Sequence, residues 1–273
     1  MNWQKRLLKT PVIGDITKKI VSMKVDHDAK NIAEHFTQFL EPQFALTEDL
    51  RKEVFKIRHN VYCEELAFEE VKKEGMEQDG FDSQSIFSLI KHKPSNIYTS
   101  CVRVVMSSNE EELLPIEKFC MDAIQNKDLH PQKFKRTEIC EISRLAVKAD
   151  FRRRKTDQFK GSAIGAISES TYSETELRCF PFIAIGLYMS AATMAINTGV
   201  KHAYVMMEPR LARSMKFVGI KFHQLGDAID YHGIRAPYYI NPEIFMDNLS
   251  PGFKSLYMKI EEDLASQIKN YKD

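Results

Sequence analysis

Apolar positions in the segment after Thr47 recur with the spacing of a helix. They fall on one stripe, which consists of Leu50, Val54, Ile57 and Val61. Thr47 can cap this helix, and the two acidic residues that follow it suit the positive end of the helix dipole. The pattern therefore predicts a helix that begins next to Thr47 and ends near Val61.

Strand-like and helix-like patterns alternate through the rest of the chain. Strands are predicted over residues 85–92, 97–107, 138–149, 203–208, 220–225 and 236–240. Helices are predicted over residues 181–197, 209–218 and 253–268. The first two of these helices have proline near the start and glycine just past the end. This order of elements is typical of a mixed sheet covered by helices.

The chain divides into three parts by the same pattern. Residues 1–45 are mixed and basic, with a helix around residues 31–40, and we interpret them as a peripheral N-terminal helical extension. Residues 46–245 form the main domain, and residues 246–273 a C-terminal amphipathic helix. Within the main domain, residues 150–180 are polar and predict a long loop, or a short helix with loops.

Composition excludes several classes of protein. Hydrophobic residues make up 43% and charged residues 28%, which excludes disordered, collagenous and coiled-coil chains. The formal net charge of +1 does not favour a strongly basic nucleic-acid binder. The most apolar window, residues 179–197, has the length of a short membrane span, but its neighbouring strands and helices favour a buried core helix.

The five cysteines are scattered and contain no C-x-x-C pair. This spacing favours reduced thiols over a disulfide framework or a metal site, and the histidines offer no metal-ligand spacing either. The N-terminus has basic residues without a long apolar run behind them, so we expect no signal peptide. We therefore expect a cytoplasmic protein without a bound metal or a membrane span.

One arginine lies inside the apolar arc of the first predicted helix. Arg58 must either reach water or pair with an anion. Three carboxylates, Glu77, Asp79 and Asp82, follow in the next loop, and such a dense group needs a cation nearby. We predict that Arg58 pairs with Asp79 or Asp82. The alternatives are a snorkelling arginine and a solvated acidic loop.

Two further charged positions interrupt predicted strands. Arg103 lies in a strand that is apolar on both faces, where a charge is costly unless it is paired. Glu141 and Arg144 are three residues apart, so a bulge is needed to bring them to one face of their strand. The alternative for both sites is a purely structural network of buried ion pairs.

Together these residues resemble a known family. The pattern is R-x-x-x-Y from Arg58, Phe68, E-x-D-x-x-D from Glu77, Arg103, Phe119 and E-I-S-R from Glu141. It resembles the acyl-homoserine-lactone (autoinducer) synthases and the related N-acyl amino acid synthases, and especially the PEP-CTERM/exosortase system-associated acyltransferases. The match covers residues 46–147, with weaker correspondence to residue 240. Its joint spacing is specific, although no single piece is.

The resemblance implies a GNAT-type acyltransferase fold for residues 46–245. That fold is α+β, with α/β/α layers and a central mixed, mostly antiparallel sheet flanked by helices. The implied reaction moves a fatty acyl group from a carrier thioester to an amine. Phe68 stands where autoinducer synthases have tryptophan, and the chain is longer at both ends and has the insertion at 150–180. These departures weaken the homoserine-lactone interpretation and leave the acceptor open.

The resemblance also implies roles for the matched residues, which line or brace an active-site cleft. Aminolysis of a thioester requires a general base, and Glu141 is our first candidate, with Glu77 acting through a water second. Arg103 and Arg144 would orient the carboxylate of the acceptor or brace Glu141. The substrate-binding set is Arg58, Asp79, Asp82, Phe68 and Phe119. No cysteine has a histidine at a suggestive spacing, so we expect no acyl-enzyme.

The acyl donor is inferred from a basic run. Arg152, Arg153, Arg154 and Lys155 follow a predicted strand at the point where coenzyme-A-dependent GNAT enzymes have a glycine-rich pyrophosphate loop, which this chain lacks. We therefore expect acyl carrier protein as partner and acyl donor, acyl-CoA being less favoured, and no tightly bound cofactor. The alternative for the run is a solvated basic turn.

We thus predict an N-acyltransferase that acts on an amino acid or a related small amine. Two alternatives remain: an acyl-homoserine-lactone synthase using S-adenosylmethionine, and a non-catalytic GNAT-fold protein that binds an acyl chain or carrier protein.

Overall fold

A computed structural model describes residues 33–151, apart from residue 35, and residues 182–272. Most of the predicted N-terminal extension lies outside the described residues, as do nearly all of the insertion at 150–180 and the basic run Arg152, Arg153, Arg154 and Lys155.

Eight strands form the sheet within the described ranges. They are β1 (Leu40–Phe44), β2 (Ser85–His92), β3 (Ile97–Met106), β4 (Ile139–Val147), β5 (His202–Met207), β6 (His223–Gln224), β7 (Ile229–Asp230) and β8 (Ile234–Ile240). Their order is β1-β2-β3-β4-β5-β8-β6, and β7 pairs with β8. Neighbouring strands are antiparallel except β4 and β5, which are parallel. The predicted mixed, mostly antiparallel sheet is confirmed.

Residues 33, 34 and 36–39 are helical, within the helix predicted around residues 31–40, and six further helices accompany the sheet in the described part of the chain. They are α1 (Glu48–Arg58), α2 (Pro115–Phe119), α3 (Ile183–Asn197), α4 (Pro209–Met215), α5 (Pro242–Asn248) and α6 (Pro251–Lys272). Thr47 caps α1 as predicted, because its hydroxyl accepts a hydrogen bond from the backbone N–H of Leu50 at 3.3 Å. A π-helical turn, His59–Glu65, continues α1, and such turns are frequent at functional sites.

The helices cover both faces of the sheet. On one face, α3 and α6 pack in a single apolar core with the even-numbered side of β3, including Val102 and Val104. On the other face, Val54 and Ile57 of α1 pack against Leu89 of β2. The apolar window at 179–197 supplies α3, which is buried as predicted. Among the described residues, no helix has both the length and the apolarity needed to span a membrane.

The structure adds elements that the sequence pattern did not predict. Within the predicted extension, Leu40–Phe44 is an edge strand, with Leu40 fully buried opposite His92 of β2. Pro42 hides the strand pattern, and proline is tolerated there because the strand is at the sheet edge. The strand β7 and the helix α5 were also missed, and both are short.

Two irregularities of β4 shape the candidate site. Two residues of β4, Arg144 and Leu145, lie opposite the single residue Val102 of β3, since Cys101 faces Ala146 while Arg103 faces Ser143. The extra residue confirms the predicted bulge, and Arg144 within it has a φ of 50°. On its other side, β4 pairs with β5 only over Ile139–Glu141. Beyond Glu141 the two strands are no longer paired.

Candidate active site

Arg58 lies at the centre of a buried ion-pair network. Its side chain has no exposed surface, and its Nη1 donates to Oδ1 of Asp82 at 2.6 Å. Its Nε donates to Oε2 of Glu77, and its Nη2 lies 3.8 Å from Oδ2 of Asp79. The predicted pairing of Arg58 with this acidic loop is confirmed, and Glu77 joins it.

Arg103 reaches the same carboxylates from strand β3. Its Nη1 donates to Oδ1 of Asp79 at 2.6 Å and to Oδ1 of Asp82 at 2.8 Å. Its Nε donates to the hydroxyl of Ser143, the residue opposite it on β4. Only 1% of the side chain is exposed, so the charge that the strand pattern singled out is paired rather than solvated.

Arg144 completes the network from the bulge. Its Nη2 donates to Glu69 at 2.9 Å and to Glu77 at 3.3 Å. Its guanidinium lies 5.4 Å from the ring centre of Tyr62, whose hydroxyl donates to the carbonyl of Leu145. Tyr62 therefore holds both the bulge and the arginine that the bulge carries.

The network favours the ionised form of Asp79. Burial opposes this at Asp79, but the guanidinium of Arg103, followed by those of Arg144 and Arg58, holds the pKa of Asp79 below its ordinary value. Alternating charges with short hydrogen bonds are the arrangement that makes buried ions tolerable. The network therefore forms a rigid, charged floor.

Above this floor lies an open cleft of about 660 Å³. Its lining contains four residues of the predicted site, which are Glu77, Asp79, Phe119 and Arg144. Arg58, Asp82 and Arg103 are buried and support these from below. The cleft also contains residues that sequence reasoning missed: Glu69, Lys72, Glu111, Lys118, Tyr231 and His232. Four carboxylates thus line it with three cationic side chains.

The missed residues come mainly from segments without an evident pattern. Tyr231 and His232 lie in the hairpin turn between β7 and β8, where His232 has a φ of 51°. Phe119 is 53% exposed, with its ring stacked on that of Tyr231 at 6.3 Å. Phe68 supports the same hairpin from outside the cleft lining, because its ring lies 5.7 Å from the ring of His232. A polar turn between two short strands was the available signal.

Glu141 occupies a different environment. It is 3% exposed, and its Oε2 accepts a hydrogen bond from the backbone N–H of Ile116 at 2.6 Å. Burial raises the pKa of Glu141 to about 8, although the Ile116 N–H and the charges of Arg103 and Arg144 oppose the rise. Both arginines direct their hydrogen bonds to other residues, so they act on Glu141 only through their charge.

An apolar cavity lies on the opposite side of the sheet, facing α3. It has a volume of about 40 Å³ and is bordered by Ile142, the residue after Glu141, and by Ala203 of β5. Small side chains of α3, Ala192 and Ala195, also line it. The cavity is therefore next to the point where β4 and β5 part.

Comparisons with known proteins agree with this fold. Residues 57–160 match the acetyltransferase (GNAT) domain family. The structure is similar to that of TofI in a ternary complex with an inhibitor and MTA (TM-score 0.55, 14% identity, 78% of this chain and 99% of that chain). It is also similar to BjaI, a CoA-dependent acyl-homoserine lactone synthase, with SAM and isopentyl-CoA (TM-score 0.54, 14% identity, 81% of this chain and 89% of that chain).

A second CoA-dependent acyl-homoserine lactone synthase, MesI, gives a TM-score of 0.52 at 15% identity, over 81% of this chain and 95% of that chain. No curated protein sequence matches the chain. The predicted α+β, GNAT-type fold is thus confirmed, and the domain match supports the prediction of an acyltransferase.

Proposed function

We propose that this protein is an N-acyltransferase that moves a fatty acyl group from a carrier thioester to a small amine, with Glu141 as general base. The observation that carries the proposal is the position of Glu141. It is a buried carboxylate at the last paired residue of β4 and β5, with a pKa raised to about 8. A base is most effective when its pKa is near the working pH.

The acceptor nitrogen loses two protons in the reaction. Glu141 takes the first from the ammonium form of the acceptor, directly or through a water, and leaves a neutral amine. The amine nitrogen attacks the thioester carbon, the C–N bond forms, and the C–S bond breaks. The nitrogen then gives its second proton to the departing thiolate, so the products are an amide and the carrier's free thiol, and the proton on Glu141 passes to solvent.

Backbone groups next to Glu141 suit the oxyanion of this reaction. The ladder between β4 and β5 ends at Glu141, so in the described part of the chain the following residues of β4 have no β5 partner. An N–H group on this edge would stabilise the developing negative charge of the thioester oxygen.

Glu141 suits the role of base better than Glu77. Both carboxylate oxygens of Glu77 accept hydrogen bonds from guanidinium groups, one from Arg58 and one from Arg144. Both oxygens of Glu77 are therefore already engaged with cations. Glu141 has a single hydrogen bond from a neutral N–H and a pKa close to neutrality, so it can take up and release a proton. We assign the Arg58 network to holding the cleft and orienting the acceptor.

The apolar cavity supports an acyl group as the transferred unit. Ile142 and Ala203 place it beside the splay of β4 and β5, where the thioester carbon would lie. The cavity volume of about 40 Å³ has room for little more than one methylene group, so a longer chain requires side chains to move. The tail of the acyl group would enter between the sheet and α3.

The carrier is proposed to be acyl carrier protein. Support comes from the basic run Arg152, Arg153, Arg154 and Lys155, which suits an acidic partner and lies outside the described residues. Acyl-CoA is the second candidate, because BjaI is a CoA-dependent synthase of the same fold. The proposal includes kinship with the PEP-CTERM/exosortase system-associated acyltransferases, supported by the joint motif spacing, and a cytoplasmic location, supported by the free thiols of the four described cysteines.

The acceptor is proposed to be an amino acid or a related amine. Arg144 in the cleft can pair with a carboxylate of the acceptor, and Lys118 lies near it on the same lining. The second candidate is an acyl-homoserine-lactone synthase using S-adenosylmethionine. The four carboxylates of the cleft favour it, since they suit a cationic acceptor.

Mass spectrometry of lipid extracts from cells expressing the protein tests the proposal. We expect an N-acyl amino acid or a related N-acyl amide that disappears with Glu141→Gln. An acyl lactone would support the second candidate. If extracts are unchanged, and the purified protein transfers nothing from acyl carrier protein or acyl-CoA to a panel of amines, the proposal is wrong and the protein is a binding module.

A further inference from the structure

A second buried ion pair lies apart from the Arg58 network. Arg136, in the turn just before β4, donates from Nη1 to Oε1 of Glu117 at 2.7 Å and from Nη2 to Oε2 at 2.8 Å. The side chains are 6% and 1% exposed. This two-bond geometry is the strongest form of an arginine–carboxylate pair. The sequence pattern did not predict this pair.

The pair fixes the start of helix α2. Oε2 of Glu117 also accepts a hydrogen bond from the backbone N–H of Leu114 at 2.8 Å. Arg136 is held by the hydroxyl of Ser107 at 3.0 Å and the carbonyl of Glu112 at 2.5 Å. The turn that begins α2 is therefore held by Glu117 from within and by Arg136 from the segment before β4.

The next N–H group of that turn is the one that reaches Glu141. The first N–H groups of a helix have no partner inside the helix. The one on Ile116 donates to Oε2 of Glu141 at 2.6 Å. One chain of contacts thus runs from Arg136 through Glu117 and the α2 turn to the carboxylate of Glu141.

We propose that the Arg136–Glu117 pair is a positioning unit for Glu141, which aims the Ile116 N–H and neutralises a carboxylate near the proposed base. Its catalytic meaning rests on the proposed function, whereas its effect on the Glu141 carboxylate does not.

The charge of Glu117 is part of the argument. It tends to raise the pKa of Glu141, which burial has already raised, while Arg103 and Arg144 lower it. The titratable and charged groups that act on Glu141 come from β3, β4, α2 with its C-cap, and the β7–β8 hairpin; they are Arg103, Cys140, Arg144, Glu117, Cys120 and Tyr231. Arg136 pairs with the one carboxylate in this set, that of Glu117. A pair that only stabilised the fold would leave the titration of Glu141 unchanged.

Two substitutions separate these roles because they act in opposite directions. Arg136→Met leaves Glu117 charged and loosens the α2 turn, so the pKa of Glu141 should rise by roughly one unit. Glu117→Gln keeps an oxygen for the Leu114 N–H but removes the negative charge of residue 117. The positive charge of Arg136 remains, so the pKa of Glu141 should fall. Should Arg136→Met fail to fold, Glu117→Gln still carries the test.

The measurement is a ¹³C NMR titration of protein labelled at the glutamate δ-carboxyl carbon. The Glu141 signal is assigned by its absence from Glu141→Gln. The matched control is the pair Lys201–Glu138 at the start of β4, joined at 2.8 Å but largely exposed at Lys201. Lys201→Met should leave the Glu141 titration where it is in the unsubstituted protein.

Opposite shifts in the two variants, with none in the control, support the proposal. A Glu141 titration that is unchanged in folded Glu117→Gln would overturn it, even if that variant were less stable or less active. Because the titration needs no substrate, it is independent of whether the protein transfers acyl groups. Should the proposed function hold as well, the acid limb of the rate profile would move with the titration in each variant.

Discussion

The acidic loop and Glu141 are two carboxylate sites of this fold, and their surroundings differ. The acidic loop carrying Glu77, Asp79 and Asp82 meets three guanidinium groups, and the pKa of Asp79 is lowered. Glu141 accepts a hydrogen bond from one backbone N–H and forms no ion pair within the described residues, and burial raises its pKa to about 8. The difference fits the division of labour that we propose, in which the acidic loop holds the cleft and orients the acceptor while Glu141 exchanges protons near pH 8.

The largest effect should come from removing the exchangeable proton. Glu141→Gln should lower acyl transfer by roughly two to four orders of magnitude, which is the usual contribution of a general base. The fold should survive, because glutamine keeps an oxygen for the Ile116 N–H and resembles the protonated acid. Single-turnover rates with saturating donor, together with circular dichroism, check both parts.

The same variant has a stability signature. The pKa of Glu141 in the folded protein, about 8, lies above its ordinary value of 4.5. The stability that this residue contributes is therefore full below the ordinary value and declines as pH rises through about 8. Between pH 4.5, the ordinary pKa, and about pH 8, the unsubstituted protein should lose stability relative to Glu141→Gln, and the difference should level off above that range. A parallel pH dependence of the two would contradict burial of the carboxylate.

Breaking the Arg58 network should lower the stability of the fold more than it slows acyl transfer. Arg58→Met strands Glu77 and Asp82 in a buried site and should lower the free energy of unfolding by about 3–5 kcal/mol. Arg51→Met is the comparison, because Arg51 lies one to two turns earlier on α1 and its hydrogen bond in the described part of the chain is to the carbonyl of Asp82. This substitution should lower the free energy of unfolding by about 1 kcal/mol. Urea denaturation of both variants tests the contrast; equal losses would show that the network has no special role.

A substitution in the apolar cavity should have a smaller effect on acyl transfer, and this effect should depend on the length of the acyl chain. Ala192→Leu fills part of the cavity beside Ile142, so it should slow transfer of long acyl chains roughly tenfold. Transfer of an acetyl group should change little, and this donor serves as the internal control. A uniform loss for all donors would show that the acyl tail lies elsewhere.

The smallest effect is expected from the basic run, which belongs to neither group. Replacing Arg152, Arg153 and Arg154 by alanine should lower kcat/KM for acyl carrier protein several-fold, with little change in kcat. The defect should shrink as salt is added. Activity on a short acyl-pantetheine mimic is the control. An equal loss on the mimic would place these arginines in the active site.

The two groups of carboxylates were not equally predictable from sequence. Charged residues in apolar patterns indicated Arg58 and Arg103, because an unpaired buried charge is too costly to keep. The bulge at Arg144 followed from the spacing of Glu141 and Arg144. The pair Glu117–Arg136 and the donor on Ile116 gave no such signal, since partners 19 and 25 residues apart depend on how α2 packs against β4.

The fold shows the same limit. Long periodic segments such as α1, β3 and α3 were predicted within a few residues of their ends. The short strand β1, with proline at its centre, and the hairpin turn bearing Tyr231 and His232 were not. The position of β1 is determined by pairing with β2, which is distant in sequence, and that of the hairpin turn by pairing of the two-residue strand β7 with β8, rather than by a periodic pattern.

The central claim is that Glu141 is the base in acyl transfer, and the pH dependence of the single-turnover rate tests it most directly. The experiment uses purified full-length protein loaded with its acyl donor and saturated with the amine, with Glu141→Gln beside it. We expect a rate that rises with pH to a plateau with a midpoint near 8, and a low, nearly flat profile for Glu141→Gln. A Glu141→Gln variant that retains the full rate and the same midpoint would contradict the account.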